Sequence, residues 1–403
     1  MPATDRTRVV VTGIGVISSI GNGRDGYLAG LRAGRCGVGD VTFFDTEGFA
    51  HARMHEVRDF VYDEDRTEHG LTTQMTVAAA RMAVEDSGYA PSSLRAKRSL
   101  VAIGTTDGDA RDVDELTADE VRKGLADLDV VRASRFRLGR VPVAVAKEFG
   151  LTDVEPIALP DVCAAGNYAI GNAVDAIRSG DVEVALCGGG DTPNRKVFAN
   201  MYRLGAISPE ACRPFDADRS GVVFGEGAAV LVLESLESAR ARGARVLAEV
   251  LDYNLTCDAF HPTRPLRDMV TACLRGALEN AGVAPSEVDL VFAHGTGTKA
   301  NDPMECAAFA EVFGDTPIPP VSGIKSMIGH TMGAAAAHSC VAAILAMEHG
   351  FLPPTVNHGV LDPDCPIDCV PNTARPARPR TVLVNALGFG GANAAVVLRE
   401  YED

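Results

Sequence analysis

One order of elements runs through this chain twice, and that repetition limits the folds open to it. Short β-branched stretches alternate with longer alanine-rich ones: 8–16 as strand, 73–87 as helix, then strands at 100–103, 182–186 and 228–233. A second series follows, with a strand at 245–253, a helix at 269–281, a strand at 289–293, a helix at 334–348 and closing strands at 381–385 and 394–399. Such alternation builds buried sheets covered by helices, an α/β architecture. Val101-Ala102-Ile103-Gly104-Thr105-Thr106 matches Val291-Phe292-Ala293-His294-Gly295-Thr296 in residue type, and the segment opening a helix at Cys163 matches one opening a helix near His330. An internal duplication with halves at 1–244 and 245–403 accounts for the match; convergent α/β habit is the competing account. No low-complexity linker separates the halves, so a shared core is expected rather than two hinged domains. The acidic stretch 107–129 is the least core-like part of the first half and is expected as a surface cap.

Charge and cysteine use narrow the function. With 54 acidic against 38 basic side chains the net charge is −16, which gives no broad positive field for nucleic acid and repels anionic lipid. The 10 cysteines are scattered without a Cys-x-x-Cys pair, which reads as reduced thiols of a cytoplasmic protein, and no metal site is expected. The apolar run from Val9 to Ile20 is broken by Thr12, Gly13 and Gly15, so a buried strand is expected there, not a signal segment or a membrane span.

Four windows carry residues fit for chemistry. In Pro160-Asp161-Val162-Cys163-Ala164-Ala165-Gly166, the cysteine heads a helix whose Ile170, Val174 and Ile177 form one apolar face. Amides at a helix start favour a thiolate or an oxyanion, and the small residues leave room for a ligand; a buried, inert cysteine is the alternative. In His294-Gly295-Thr296-Gly297-Thr298 a histidine ends a strand where open α/β sheets place their crevices, or simply bonds a neighbouring carbonyl. Gly323-Ile324-Lys325 leads to His330 at another helix start, without the spacing of a phosphate loop. Leu387-Gly388-Phe389-Gly390-Gly391 either aims an amide into a cavity or is a plain tight turn. Together they hold the parts for thioester carbon–carbon bond formation: a thiol to take an acyl group, and two neutral histidines to stabilise the enolate left when a malonyl thioester loses carbon dioxide.

From Val9-Val10-Val11-Thr12-Gly13-Ile14-Gly15 to Gly388-Phe389-Gly390-Gly391-Ala392-Asn393 the chain resembles the β-ketoacyl-acyl carrier protein synthases of the thiolase superfamily that use a Cys-His-His set. The resemblance implies a thiolase-like five-layered αβαβα fold from two duplicated halves, the first bearing the nucleophile and the second both histidines. It implies Cys163 as the acyl acceptor, His294 and His330 as the pair that promotes decarboxylation, Lys325 as the lysine that organises them and Glu305 as the acid that anchors the network. Thr296 and Thr298 match threonines that contact the phosphopantetheine arm. The amides of Cys163 and Phe389 would form an oxyanion hole, with Phe389 gating the acyl pocket.

The pattern departs from the family's at Asp161, where threonine is usual, and at Ala392 and Ala395, where threonine and histidine are usual. These departures point away from ordinary fatty-acid elongation and toward a polyketide or other secondary-metabolite pathway. The expected reaction is decarboxylative Claisen condensation with malonyl-acyl carrier protein by a discrete homodimer, or a heterodimer, with no cofactor of its own. The rival readings are an acyltransferase that forms an ester or amide, and a non-catalytic partner of the chain-length-factor kind. Arg132, Arg135, Arg137 and Arg140 are the expected docking patch for the acidic carrier.

Overall fold

The computed structural model describes residues 6–61, 63 and 68–402. The first five long-range strands are β1 (Val9–Ser18), β2 (Ser99–Gly104), β3 (Val154–Leu159), β4 (Val184–Asp191) and β5 (Gly227–Ser235). The second five are β6 (Ala248–Cys257), β7 (Leu290–Phe292), β8 (Val321–Ser322), β9 (Thr381–Leu387) and β10 (Ala392–Arg399). They lie in the order β8-β7-β9-β10-β6-β1-β5-β4-β2-β3. Read outward from the seam, the two sides run 1-5-4-2-3 and 6-10-9-7-8, the same path displaced by five. Parallel and antiparallel pairings repeat in step. At the seam β1 and β6 share three residue pairs, Val9 with Val250 through Val11 with Ala248.

The helices that matter are α1 (Leu71–Asp86), α2 (Ala110–Lys123), α3 (Ala165–Arg178), α4 (Arg267–Ala281), α5 (Asn301–Phe313) and α6 (Ala335–His349). Strand residues sort by parity, as pleated strands with both faces covered must. Leu231 and Leu233 of β5, and Val382 and Val384 of β9, join the core around α3 and α6. Their alternates face outward: Val230 and Val232 pack with α1, and Leu383 and Leu387 with α4 and α5. The result is helix, sheet, helix, sheet, helix, the five layers expected. Central α6 is buried along its whole run from Ala335 to Met347, which explains its alanine-rich, almost unpatterned sequence.

The two central helices touch closely at their starts. A Cβ on Gly166 would stand 2.8 Å from the Ala337 amide, so Gly166 serves helix packing rather than ligand approach. Asn167 of α3 donates to the carbonyls of Val384 and Ala394 at 3.2 and 3.3 Å, tying the first half's helix to the second half's sheet. The run at Val9 is indeed strand, buried throughout. Among the described residues no helix is long and apolar enough to cross a membrane. The acidic stretch forms the mostly exposed cap helix α2, but Asp109 and Asp112 at its root are buried.

Candidate active site

Cys163 does not sit in helix α3 proper. It is the middle residue of a 3₁₀ turn, Val162–Ala164, that feeds the helix at Ala165. Val162 takes φ 51°, a left-handed conformation that costs a side chain about 1–2 kcal/mol and is less suited still to a β-branched one. The same device recurs at the matching place in the second half: Met332, at φ 48°, opens the 3₁₀ turn Met332–Ala334 into α6.

The half-buried Cys163 opens on a cavity of about 230 Å³ shared with His294, His330, Thr296, Thr298 and Phe389. The backbone amides of Phe389 and of Cys163 itself are directed at the sulfur. Burial nevertheless pushes the thiol up to about 12, with Lys325 and these amides pulling against it and Asp191 adding to it. The expectation that the helix start yields a resting thiolate therefore fails, because desolvation outweighs the amide dipoles. Iodoacetamide labelling of Cys163 is expected to accelerate about tenfold per pH unit from roughly pH 7 to pH 10. A plateau near the ordinary cysteine value would contradict that.

The two imidazoles meet edge to face, ring centroids 5.5 Å apart at 84°. His294 lies two residues beyond the end of β7, and His330 follows the short helix Lys325–Ile328, its backbone pinned to Val223 and Gly225 at 2.8 and 3.0 Å. Burial lowers both rings well below the ordinary histidine value, with the Lys325 charge adding to it, so both are neutral. Their tautomers follow from the backbone. Met332 N–H donates to Nδ1 of His330 at 3.1 Å, and Leu387 N–H donates to Nδ1 of His294 at 3.3 Å. With each Nδ1 accepting, the ring proton resides on Nε2, so both rings are hydrogen-bond donors through Nε2.

Buried Lys325 donates its ammonium to the carbonyl of His294. Glu305, fully buried on α5, accepts from the amides of His294 and Gly295 at 2.6 and 2.9 Å and from the side chains of Asn385 and Asn301 at 2.7 and 3.1 Å. Glu305 is also the largest influence opposing the burial that lowers Lys325. Thr296 and Thr298 face one another at 3.0 Å on the cavity wall. Phe389, 42% exposed, stands at the mouth, where Gly390 N–H donates to Pro262 at 2.8 Å. All eight residues singled out from the sequence thus gather at one cavity and the network behind it.

Some expectations need correction. The carboxylate that raises the Cys163 thiol further is the fully buried Asp191. Asp191 accepts from Thr105 Oγ1 at 2.8 Å and from the amides of Thr106 and Gly333 at 2.7 Å each, joining the two halves beneath the site. Of the four arginines expected as a docking patch, three are tied down and Arg137 alone is exposed. Arg135 is buried and bonded to Asp112 at 2.9 Å, Arg132 pairs with Glu115 at 2.6 Å, and Arg140 donates to Ser134 Oγ at 3.1 Å. The acidic stretch supplies the carboxylates that pair Arg132 and Arg135, whereas Arg137 lies 5.9 Å over the ring of Phe136.

Sequence reasoning missed the remaining wall. It comes from Val197 and Met201 on the helix Arg195–Arg203, from Val222 and Phe224, and from the loop 261–265. The two prolines of that loop and the Gly188-Gly189-Gly190-Asp191 strand end were the available signals.

Comparison with known proteins places this architecture. The family described as Beta-ketoacyl synthase, N-terminal domain, matches residues 6–239, and Beta-ketoacyl synthase, C-terminal domain, matches residues 247–358. The 3-oxoacyl-[acyl-carrier-protein] synthase 2 of Coxiella burnetii (strain RSA 493 / Nine Mile phase I) is 35% identical, covering 99% of this chain and 100% of its own. A solved structure described as the ishigamide ketosynthase/chain length factor superposes with a TM-score of 0.96 at 50% identity, over 98% of this chain and 100% of that one. Another, a type II PKS acyl-carrier protein in complex with its ketosynthase, gives a TM-score of 0.92 at 31% identity over 98% and 100% of the respective chains.

Proposed function

Because this chain belongs to the β-ketoacyl synthase family, we propose that it joins a carrier-bound acyl group to malonyl-acyl carrier protein by decarboxylative Claisen condensation, in a type II polyketide or related secondary-metabolite pathway. The observation that carries this reading is the pair of neutral histidines with both Nε2–H donors free beside a cysteine. The acyl thioester first exchanges onto Cys163: the new S–C bond forms, the carrier's C–S bond breaks, and the thiol proton leaves with the carrier thiol. The amides of Cys163 and Phe389 hold the oxyanion of this step. The malonyl thioester then places its carbonyl oxygen between the Nε2–H groups of His294 and His330. Loss of carbon dioxide leaves its electron pair as an enolate on that oxygen, and the enolate carbon attacks the acyl carbonyl on Cys163. The C–S bond breaks, and the thiolate released takes a proton from water. The S–C bond is made with the sulfur's electron pair and the new C–C bond with the pair released by decarboxylation, so nothing is oxidised or reduced and the cycle needs no resident redox group; the phosphopantetheine arm arrives with the carrier and runs past Thr296 and Thr298.

Lys325 and Glu305 act as positioning residues in this scheme. Burial keeps both rings neutral and the Lys325 charge adds to it, while Glu305 fixes the backbone on which His294 sits. The presence of both histidines favours condensation over ester or amide formation, where no enolate has to be held, and the intact Cys163 disfavours a non-catalytic partner role. We place the division between the two halves at 244/245, and the reaction in the cytoplasm.

For the carrier, exposed Arg264 on the cavity wall and exposed Lys299, next in the chain to the lining residues Thr298 and Ala300, are in no ion pair among the described residues and are better placed than the arginines of the cap. Arg264→Glu with Lys299→Glu is expected to raise the KM for the malonyl carrier roughly tenfold at low salt, with a much smaller change for a small thioester mimic. Equal changes for both substrates would oppose docking there. A second ketosynthase-fold chain, identical or homologous, would cover the half-exposed edge strand β3. Such a chain would also bury Val121, Leu125, Val130 and Phe136, which are exposed on and beside the cap. Malonyl-carrier dependence of product formation, with release of one carbon dioxide per condensation, tests the reading as a whole.

A further inference from the structure

Seven non-glycine residues have positive φ among the described residues, and only Val162 and Met332 of these line the cavity. Both stand at the first position of a 3₁₀ turn leading into a central helix. The turn is needed at both places, because it sets the amide of Cys163 toward the sulfur and the amide of Met332 toward Nδ1 of His330. Glycine would make the same turn without strain. A strained conformation held by a valine and a methionine calls for a use of the side chains themselves.

The surroundings indicate that use. In an acyl-enzyme the carbonyl oxygen is claimed by the amides of Cys163 and Phe389, and the histidine side must stay clear for the incoming enolate. The acyl chain then leaves along the apolar wall, where Val162, adjacent in the chain to the nucleophile, and Met332 are met first. We propose that the side chains of Val162 and Met332 determine specificity: they close on the first carbons of the acyl group and exclude substituents on the carbon next to the carbonyl, so that the site takes straight-chain acyl thioesters. This inference rests on Cys163 as the acyl acceptor.

The test uses the full-length protein and the N-acetylcysteamine thioesters of hexanoate and 2-methylhexanoate, with the rate of acyl addition followed by intact mass. Wild type is expected to prefer the straight chain by at least about tenfold, and Val162→Ala to reduce that preference roughly tenfold, the usual effect of one or two methyl groups in an apolar pocket. Val162→Gly and Met332→Gly remove the strain along with the side chain and are expected to relax the preference similarly while melting no lower than wild type. An unchanged ratio in the folded alanine and glycine variants, or a wild type indifferent to branching, would overturn the inference alone. If neither thioester acylates wild type, the nucleophile assignment falls and takes this inference with it.

Discussion

His330→Ala is expected to slow carbon dioxide release from a malonyl thioester by about 10²–10³-fold, the usual loss when one preorganised oxyanion donor is removed, while Cys163 still takes an acyl group at close to the wild-type rate. The asymmetry follows from the tautomers. Because Met332 and Leu387 donate to the two Nδ1 atoms, both rings hold their proton on Nε2, and neither is set to receive the thiol proton of Cys163. Acyl transfer therefore does not run through them, whereas the enolate does. His294→Ala is expected to behave in the same way for the same reason. A parallel fall in both partial reactions would mean that an imidazole serves as the base for the cysteine, and the division of labour described above would be wrong.

The other large effect belongs to the nucleophile. Cys163→Ala is expected to reduce condensation by on the order of 10⁴-fold or more, as loss of a covalent nucleophile does in enzymes whose catalytic groups act as a unit. No other cysteine can stand in. Among the described residues Cys163 is the one cysteine on the cavity wall; Cys187, Cys212, Cys273, Cys306, Cys340, Cys365 and Cys369 are buried, and Cys36 and Cys257 lie off the cavity. Residual acyl addition to Cys163→Ala at the wild-type stoichiometry would refute the assignment.

Much of this site was legible before any coordinates, for a physical reason. The groups that must touch substrate are side chains of unusual chemistry set at strand ends and helix starts, and those positions have strong sequence signals: the strand before His294, the alanine-rich helix after His330, the glycines around Phe389. The long strands were legible too, because burial on both faces makes them near-continuous apolar runs. The edge strand β3 was not, since its Glu155 and Pro156 read as loop, and neither was β8, which is only two residues long. The backbone donors of Met332 and Leu387 were equally hidden, because an amide carries no residue-type signature. Electrostatics failed in a different way. The helix start at Cys163 suggested a thiolate and the run from Arg132 to Arg140 suggested a docking face, but burial decides the first, and carboxylates of the cap tie down Arg132 and Arg135 in the second. Neither is visible without packing.

The account's central claim is that one cavity divides two jobs, with Cys163 accepting the acyl chain and His294 and His330 holding the enolate. Its most direct test measures both partial reactions on the same two variants: acyl addition by intact mass, and carbon dioxide release from malonyl-carrier protein. The account predicts a double dissociation, in which Cys163→Ala takes no acyl group yet still releases carbon dioxide, and His330→Ala takes the acyl group yet releases almost none. Loss of both reactions in both folded variants, or an acyl adduct on Cys163→Ala, would contradict it.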